Sequence, residues 1–266
     1  LPGLLPGGRP VSDPEARAQV ERAWNMSPEH GLLTSLGRDT TGILSALLDG
    51  TLGGAVVGGI DLRDFPDPGL ARAALAASGF TVQLEVRRSE VSEHADVVLP
   101  VAPAVEKNGT FVNWEGRVRP FGQAHVSRAR TDRQVLGMLA DEMGVDLQVD
   151  DLVTLHDQLA ALGLWRGQRM PVAFGRAPVT GAEVSVGGGV EALLTTHKPM
   201  LDAGRLQDGE PFLAATALRP VAKVGVDLAR RLSLAGGEEV TVSTATGSIT
   251  LPAVVGGVSD GTVWLP

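Results

Sequence analysis

At 266 residues, with 43% hydrophobic and 20% charged side chains, the chain has the size and composition of one or two globular domains. A net charge of −8 argues against non-specific nucleic-acid binding, which needs a cationic face to displace counterions. The lack of cysteine excludes disulfides, thiolate-held iron–sulfur clusters and a catalytic thiol, and no apolar run approaches the roughly 20 residues of a membrane helix.

The opening LPGLLPGGRP has no charged region ahead of an apolar stretch, so it does not read as a signal peptide. It also has no Met, and Thr262 to Leu265 still reads as strand. Both ends are expected to be cuts in a longer polypeptide. Ser12 and Glu15 form a candidate capping box, with Pro14 in the first turn, for a helix running to about Trp24. A loop covers Asn25 to Asp39. Ile43, Leu44, Leu47 and Leu48 then line one helical face that Gly50 caps.

Ala55 to Val57 reads as a short strand between glycine pairs. Asp67-Pro68 opens the next helix and Gly79 closes it. Thr81 to Val86 is a second strand, Ser89 to His94 a helical turn, and Val97 to Leu99 a strand expected to be buried on both faces. Asn108-Gly109 and Glu115-Gly116 are expected turns around the extended run Thr110 to Asn113. Thr131 and Gln134 cap a helix that ends near Gly144. This alternation implies parallel strands, right-handed crossovers and helices on both faces. Three strands make a poor sheet, so further strands are expected from sequence outside this chain.

Asp150 to Leu162 is an amphipathic helix with Leu152, Leu155, Leu159 and Leu162 on one side. Arg166 to Gly209 reads as a Gly/Pro-rich connector with one short helix at Val190 to Thr196. The tail has a helix at Val226 to Leu232, then turns at Gly236-Gly237 and Thr246-Gly247. Short strands follow the pattern Glu239 to Thr244, Ser248 to Leu251, Val254-Val255 and Thr262 to Leu265. Val240 and Val242 are expected to point inward, in a small β-barrel-like domain.

Candidate chemistry is sparse. Gly53, Gly54, Gly58 and Gly59 bracket a strand without a G-x-G-x-x-G, and read as tight turns rather than a dinucleotide crevice. Gly187-Gly188-Gly189 precedes an expected helix and could cradle a phosphate, but it has no Lys-Ser/Thr and reads as a flexible linker. His30, His94, His125, His156 and His197 lack metal-ligand spacing. No G-x-S-x-G supports a serine hydrolase. Glu106 and Glu115 could be paired carboxylates; a local Glu106–Lys107 ion pair and a turn residue are the simpler reading. Arg117, Arg119, Arg128, Arg130 and Arg133 read as a solvated or subunit-contact face rather than an anion site.

The string ADVVLP, five residues, EKNGTF, one residue, NWEGRVRPF resembles a segment of the molybdopterin oxidoreductase superfamily. The matching positions are Ala95 to Pro100, Glu106, Lys107, Gly109, Thr110, Phe111, Asn113, Glu115, Gly116 and Arg117. The tail from Val226 to Leu251 is similar to the start of that superfamily's double-psi barrel. LLPGGRP, GRDTTGIL, NWEGRVRPF and AGRLQDGEPFLA give a texture that resembles the actinobacterial branch of the G-subunit family of complex I (NADH-quinone oxidoreductase). That branch keeps the fold and generally lacks a pterin.

The resulting expectation is an α/β fold: a partial doubly wound parallel sheet over 1–145, a helix and connector over 146–210, and a truncated double-psi β-barrel-like domain over 211–266. The resemblance implies a scaffold with no catalytic, cofactor-binding or metal-binding residue. It implies 2Fe-2S and 4Fe-4S clusters in an N-terminal part of the parent chain. Its implied partners are that cluster-bearing part and the flavin-bearing and iron–sulfur peripheral-arm subunits, on the cytoplasmic side of the plasma membrane, with no nucleic acid and no membrane insertion. Structural roles fall to Phe111 and Trp114 as packing anchors and to Arg117 as partner of a carboxylate or carbonyl. The alternatives are a pterin-dependent formate dehydrogenase or nitrate reductase segment, or a nucleotide-binding module.

Overall fold

The computed structural model describes residues 3–26, 31–149, 151–169, 183–196, 198–201, 204, 207–245 and 247–266. His30, Asp150, His197 and Thr246 lie outside the described residues. The chain divides into two compact units, residues 1–171 and 172–266, and each is described separately.

The first unit begins with a two-residue ladder, β1 (Leu4–Leu5) against β2 (Arg9–Pro10), antiparallel. Helix α1 (Pro14–Ala23) follows, with Pro14 at its first position. Its cap is Asp13, whose carboxylate accepts from the Ala16 amide, and not the expected Ser12. An Asp one residue closer to the helix reaches the same orphan amides and competes successfully. α2 (Thr40–Leu48) is capped by Asp39 and α3 (Pro68–Ala77) by Asp67. β3 (Ala55–Gly58), β4 (Thr81–Glu85) and β5 (Val97–Pro100) form a parallel sheet in the order β3-β4-β5.

α2 and α3 pack together over the Ala55 and Val57 side of β3. Leu44, Leu47, Leu62, Ala71, Ala74, Leu75 and Val91 share one buried cluster there. Side chains alternate across a strand, so Val56, Val82 and Val97, which are paired in register, face the other way. Val56 is 61% exposed on that side. Helices on both faces were expected; these two helices share one. β5 also departs from expectation. Val97 and Val98 are each 38% exposed, because β5 is an edge strand with a neighbour on one side only. An apolar run signals a strand but cannot say whether it is central.

β6 (Gly109–Val112) and β7 (Val118–Phe121) make an antiparallel hairpin. α4 (Asp132–Glu142) opens with a reciprocal capping box between Thr131 and Gln134, as the sequence indicated. α5 (Leu152–Leu162) is capped by Asp151 and packs on α1. The buried Arg9 fastens this arrangement. Its guanidinium donates to Gln19 Oε1 (3.0 Å), Pro6 O (3.1 Å), Gly163 O (3.0 Å) and Leu162 O, and lies over the Trp165 ring. A cation at a helix C-terminus satisfies carbonyls that have no helical partner.

The second unit is a closed six-stranded barrel. β8 (Glu183–Val186) and β9 (Val190–Thr196) pair antiparallel, and the short helix α6 (Pro211–Ala214) precedes β10 (Ala222–Val224). α7 (Val226–Leu232), β11 (Glu239–Thr244), β12 (Gly247–Val255) and β13 (Thr262–Leu265) complete it. The order around the barrel is β10-β12-β11-β8-β9-β13. β13 runs antiparallel to β10, and that pairing closes the ring. Val184, Val186, Val224, Leu228, Val240, Val242 and Val263 fill the core; each such side chain contributes about 1.5–3 kcal/mol by leaving water.

Two expectations fail here for one reason. Val190 to Thr196 is a strand, not a helix, and the barrel is closed rather than partial, because β8 and β9 come from sequence read as connector. Gly187, Gly188 and Gly189 all have positive φ (53°, 90° and 116°), which reverses the chain into a hairpin and opens no helix. Ala192 then points inward and Leu193 outward in strand alternation. Pairing with β8 and β13 overrides the helical preference of the Glu191-Ala-Leu-Leu run.

Candidate functional site

The signature string occupies β5, the turn after it and the β6–β7 hairpin. After Pro100 the chain turns in, burying Val101 and Ala102, and the Ala102 amide donates to Arg130 O at 2.7 Å. A short turn at Ala104–Glu106 leads into the hairpin. Gln123 closes its base, with Nε2 donating to Glu106 O and His125 O, both at 3.0 Å. At the far end, Asn113 Oδ1 accepts from the Glu115 amide (3.1 Å) and the Arg117 amide (2.8 Å), which shapes the expected Glu115-Gly116 turn.

Asn108-Gly109 is not a turn. Gly109 is the first residue of β6, and a Cβ there would lie 2.6 Å from Phe121 Cζ. Glycine leaves room for the Phe121 ring that lies across it, and any larger residue would have to displace that ring. Phe121 in turn stacks on Phe111, with centroids 4.7 Å apart. Phe111 therefore has an aromatic partner while remaining 63% exposed. Trp114, the other expected packing anchor, is 93% exposed at the hairpin tip and anchors nothing within the described residues. Arg117 meets its expected carboxylate, Glu115 Oε2 at 2.8 Å. Lys107 pairs with Asp132 on α4 rather than with adjacent Glu106, tying the hairpin's base to the start of that helix.

Between the hairpin, the first turn of α4 and one face of α5 lies an open groove of about 670 Å³. Its walls are largely hydrocarbon: Phe111, Val112, Val118 and Phe121 on one side, Leu152, Leu155 and Leu159 on the other. Several of its polar groups are engaged with partners. Thr110 Oγ1 lies 3.3 Å from His156 Nε2, Lys107 is held by Asp132, and Arg133 donates to Val149 O. At the α5 end, Asp151 accepts from the Thr154 amide and hydroxyl, each at 2.8 Å. Those hydrogen bonds, the amide's first, hold its carboxyl below the usual carboxylate range.

Such a groove can accept apolar side chains. Among the described residues no group of three or more His, Cys, Asp or Glu could hold a metal ion, and no helix is long and apolar enough to cross a membrane. The motif announces the hairpin in the sequence, and the Leu152/Leu155/Leu159 stripe announces the α5 wall. The second strand, Val118–Phe121, carries no apolar/polar alternation that would mark it in the sequence, since Phe121 shares a side with Arg119. Glu106 and Glu115 are not brought together as an acid/base pair: Glu115 serves Arg117 in the turn.

The molybdopterin oxidoreductase family profile matches residues 56–142, from β3 to the end of α4. The G subunit of NADH-quinone oxidoreductase from Mycobacterium bovis is 49% identical over 100% of this chain and 33% of its own length. Its counterpart in Streptomyces coelicolor is 43% identical over 100% of the chain and 31% of its length. The chain is a homologue of the NADH-quinone oxidoreductase G subunit. It spans about a third of the length of these relatives. A putative formate dehydrogenase of Bacillus subtilis is 28% identical over 61% of the chain. Among solved structures, acetylene hydratase of Pelobacter acetylenicus matches 94% of the chain with a TM-score of 0.55 at 17% identity, covering 42% of that protein. That likeness bears on the fold, a molybdopterin oxidoreductase-like α/β arrangement with a barrel.

Proposed function

We propose that this chain is the C-terminal scaffold segment of the G subunit in the peripheral arm of a proton-translocating NADH:quinone oxidoreductase. In that role it supports electron passage from NADH through iron–sulfur clusters to quinone, and carries no catalytic, cofactor-binding or metal-binding residue itself. The 2Fe-2S and 4Fe-4S clusters belong to a part of the parent polypeptide outside this chain. Its partners are that cluster-bearing part and the flavin and iron–sulfur subunits of the arm, on the cytoplasmic face of the bacterial membrane. The observation that carries this reading is the contrast in similarity: 49% identity across the whole chain to a G subunit, against 28% over 61% for a formate dehydrogenase.

The finer domain reading goes with it. The parallel pairs β10–β12 and β9–β13, set among antiparallel neighbours, support assigning the barrel to the double-psi type. Removal of this segment from the parent polypeptide tests the role. The expected result is loss of the assembled complex on native gels together with NADH:quinone activity. A complex that assembles and turns over without the segment would refute the scaffold role.

One specific observation favours a second reading, a segment of a pterin-dependent oxidoreductase: the molybdopterin oxidoreductase profile matches residues 56–142, and a putative formate dehydrogenase is 28% identical over 61% of the chain. The two readings differ in whether the parent protein holds molybdenum or tungsten.

A further inference from the structure

We draw no further inference here: the strongest candidate, the open apolar groove between the β6–β7 hairpin, the first turn of α4 and one face of α5, lies on a chain that spans about a third of the length of its relatives, and nothing in the structure shows what covers it.

Discussion

Arg9→Met isolates the contact that ties the first residues to the end of α5. Methionine keeps an apolar stem in the buried site but removes every donor. The change leaves Leu162 O and Gly163 O without the guanidinium that satisfies them, across 153 and 154 residues of sequence. A buried carbonyl stripped of its partner costs about 1–3 kcal/mol. The buried Leu162 O carries most of that cost and the part-buried bonds to Gly163 O and Pro6 O add to it, giving about 3 kcal/mol once the cation no longer has to be desolvated. That is roughly a 100-fold rise in local opening, at 1.4 kcal/mol per tenfold. Hydrogen exchange reads it directly, through the Gly163 amide bonded to Leu159 O and the Trp165 amide bonded to Gly7 O. Both should exchange about 100-fold faster, while barrel amides such as that of Ala253, bonded to Glu238 O, stay unchanged. Arg9→Lys should recover little, because an ammonium cannot reach three carbonyls and Gln19 as a planar fork does. Equal acceleration in α5 and the barrel, or none in either, would refute the assignment of Arg9 as a local clamp.

In the barrel, Leu228→Ala empties a fully buried core position and should destabilise the unit by about 3–5 kcal/mol, read by urea unfolding of its Trp264 signal; a loss below about 1 kcal/mol would mean that α7 is not part of the core. Gly109→Ala should unstack Phe121 from Phe111, visible as altered aromatic chemical shifts, because the new Cβ would stand 2.6 Å from the ring. Asp151 has a folded-state pKa below its unfolded value, so its cap is fully effective above the ordinary carboxylate pKa of about 3.9 and is lost as pH falls through the lower folded value. The Thr154 amide should therefore exchange faster, relative to the intrinsic rate, as pH drops below about 4, and Asp151→Asn should abolish that dependence.

Local signals proved readable wherever one residue decides a local structure. Asp67-Pro68, Thr131 with Gln134, and Gly50 after the Leu44/Leu47 stripe each mark a helix boundary that the structure places where the sequence put it. What stayed hidden depends on partners distant in sequence. Val190 to Thr196 is rich in helix formers, and only its pairing with β8 and β13 makes it a strand. Arg9 gives no local hint that it will end beneath α5. The exposure of Val97 and Val98 follows from β5 having one neighbour, which an apolar run does not reveal. At the site, the motif located the hairpin but not the job of its glycine: Gly109 looks like half of an Asn-Gly turn and is in fact the seat of a ring from the other strand. Trp114, expected as a packing anchor, sits at the hairpin tip and is exposed.

Metal and pterin analysis of the full-length protein, purified in its native assembly, tests most directly whether this redox-enzyme fold serves as scaffold. A scaffold role predicts iron in cluster stoichiometry, with neither molybdenum, tungsten nor pterin. One molybdenum or tungsten per chain, with pterin bound, would contradict it.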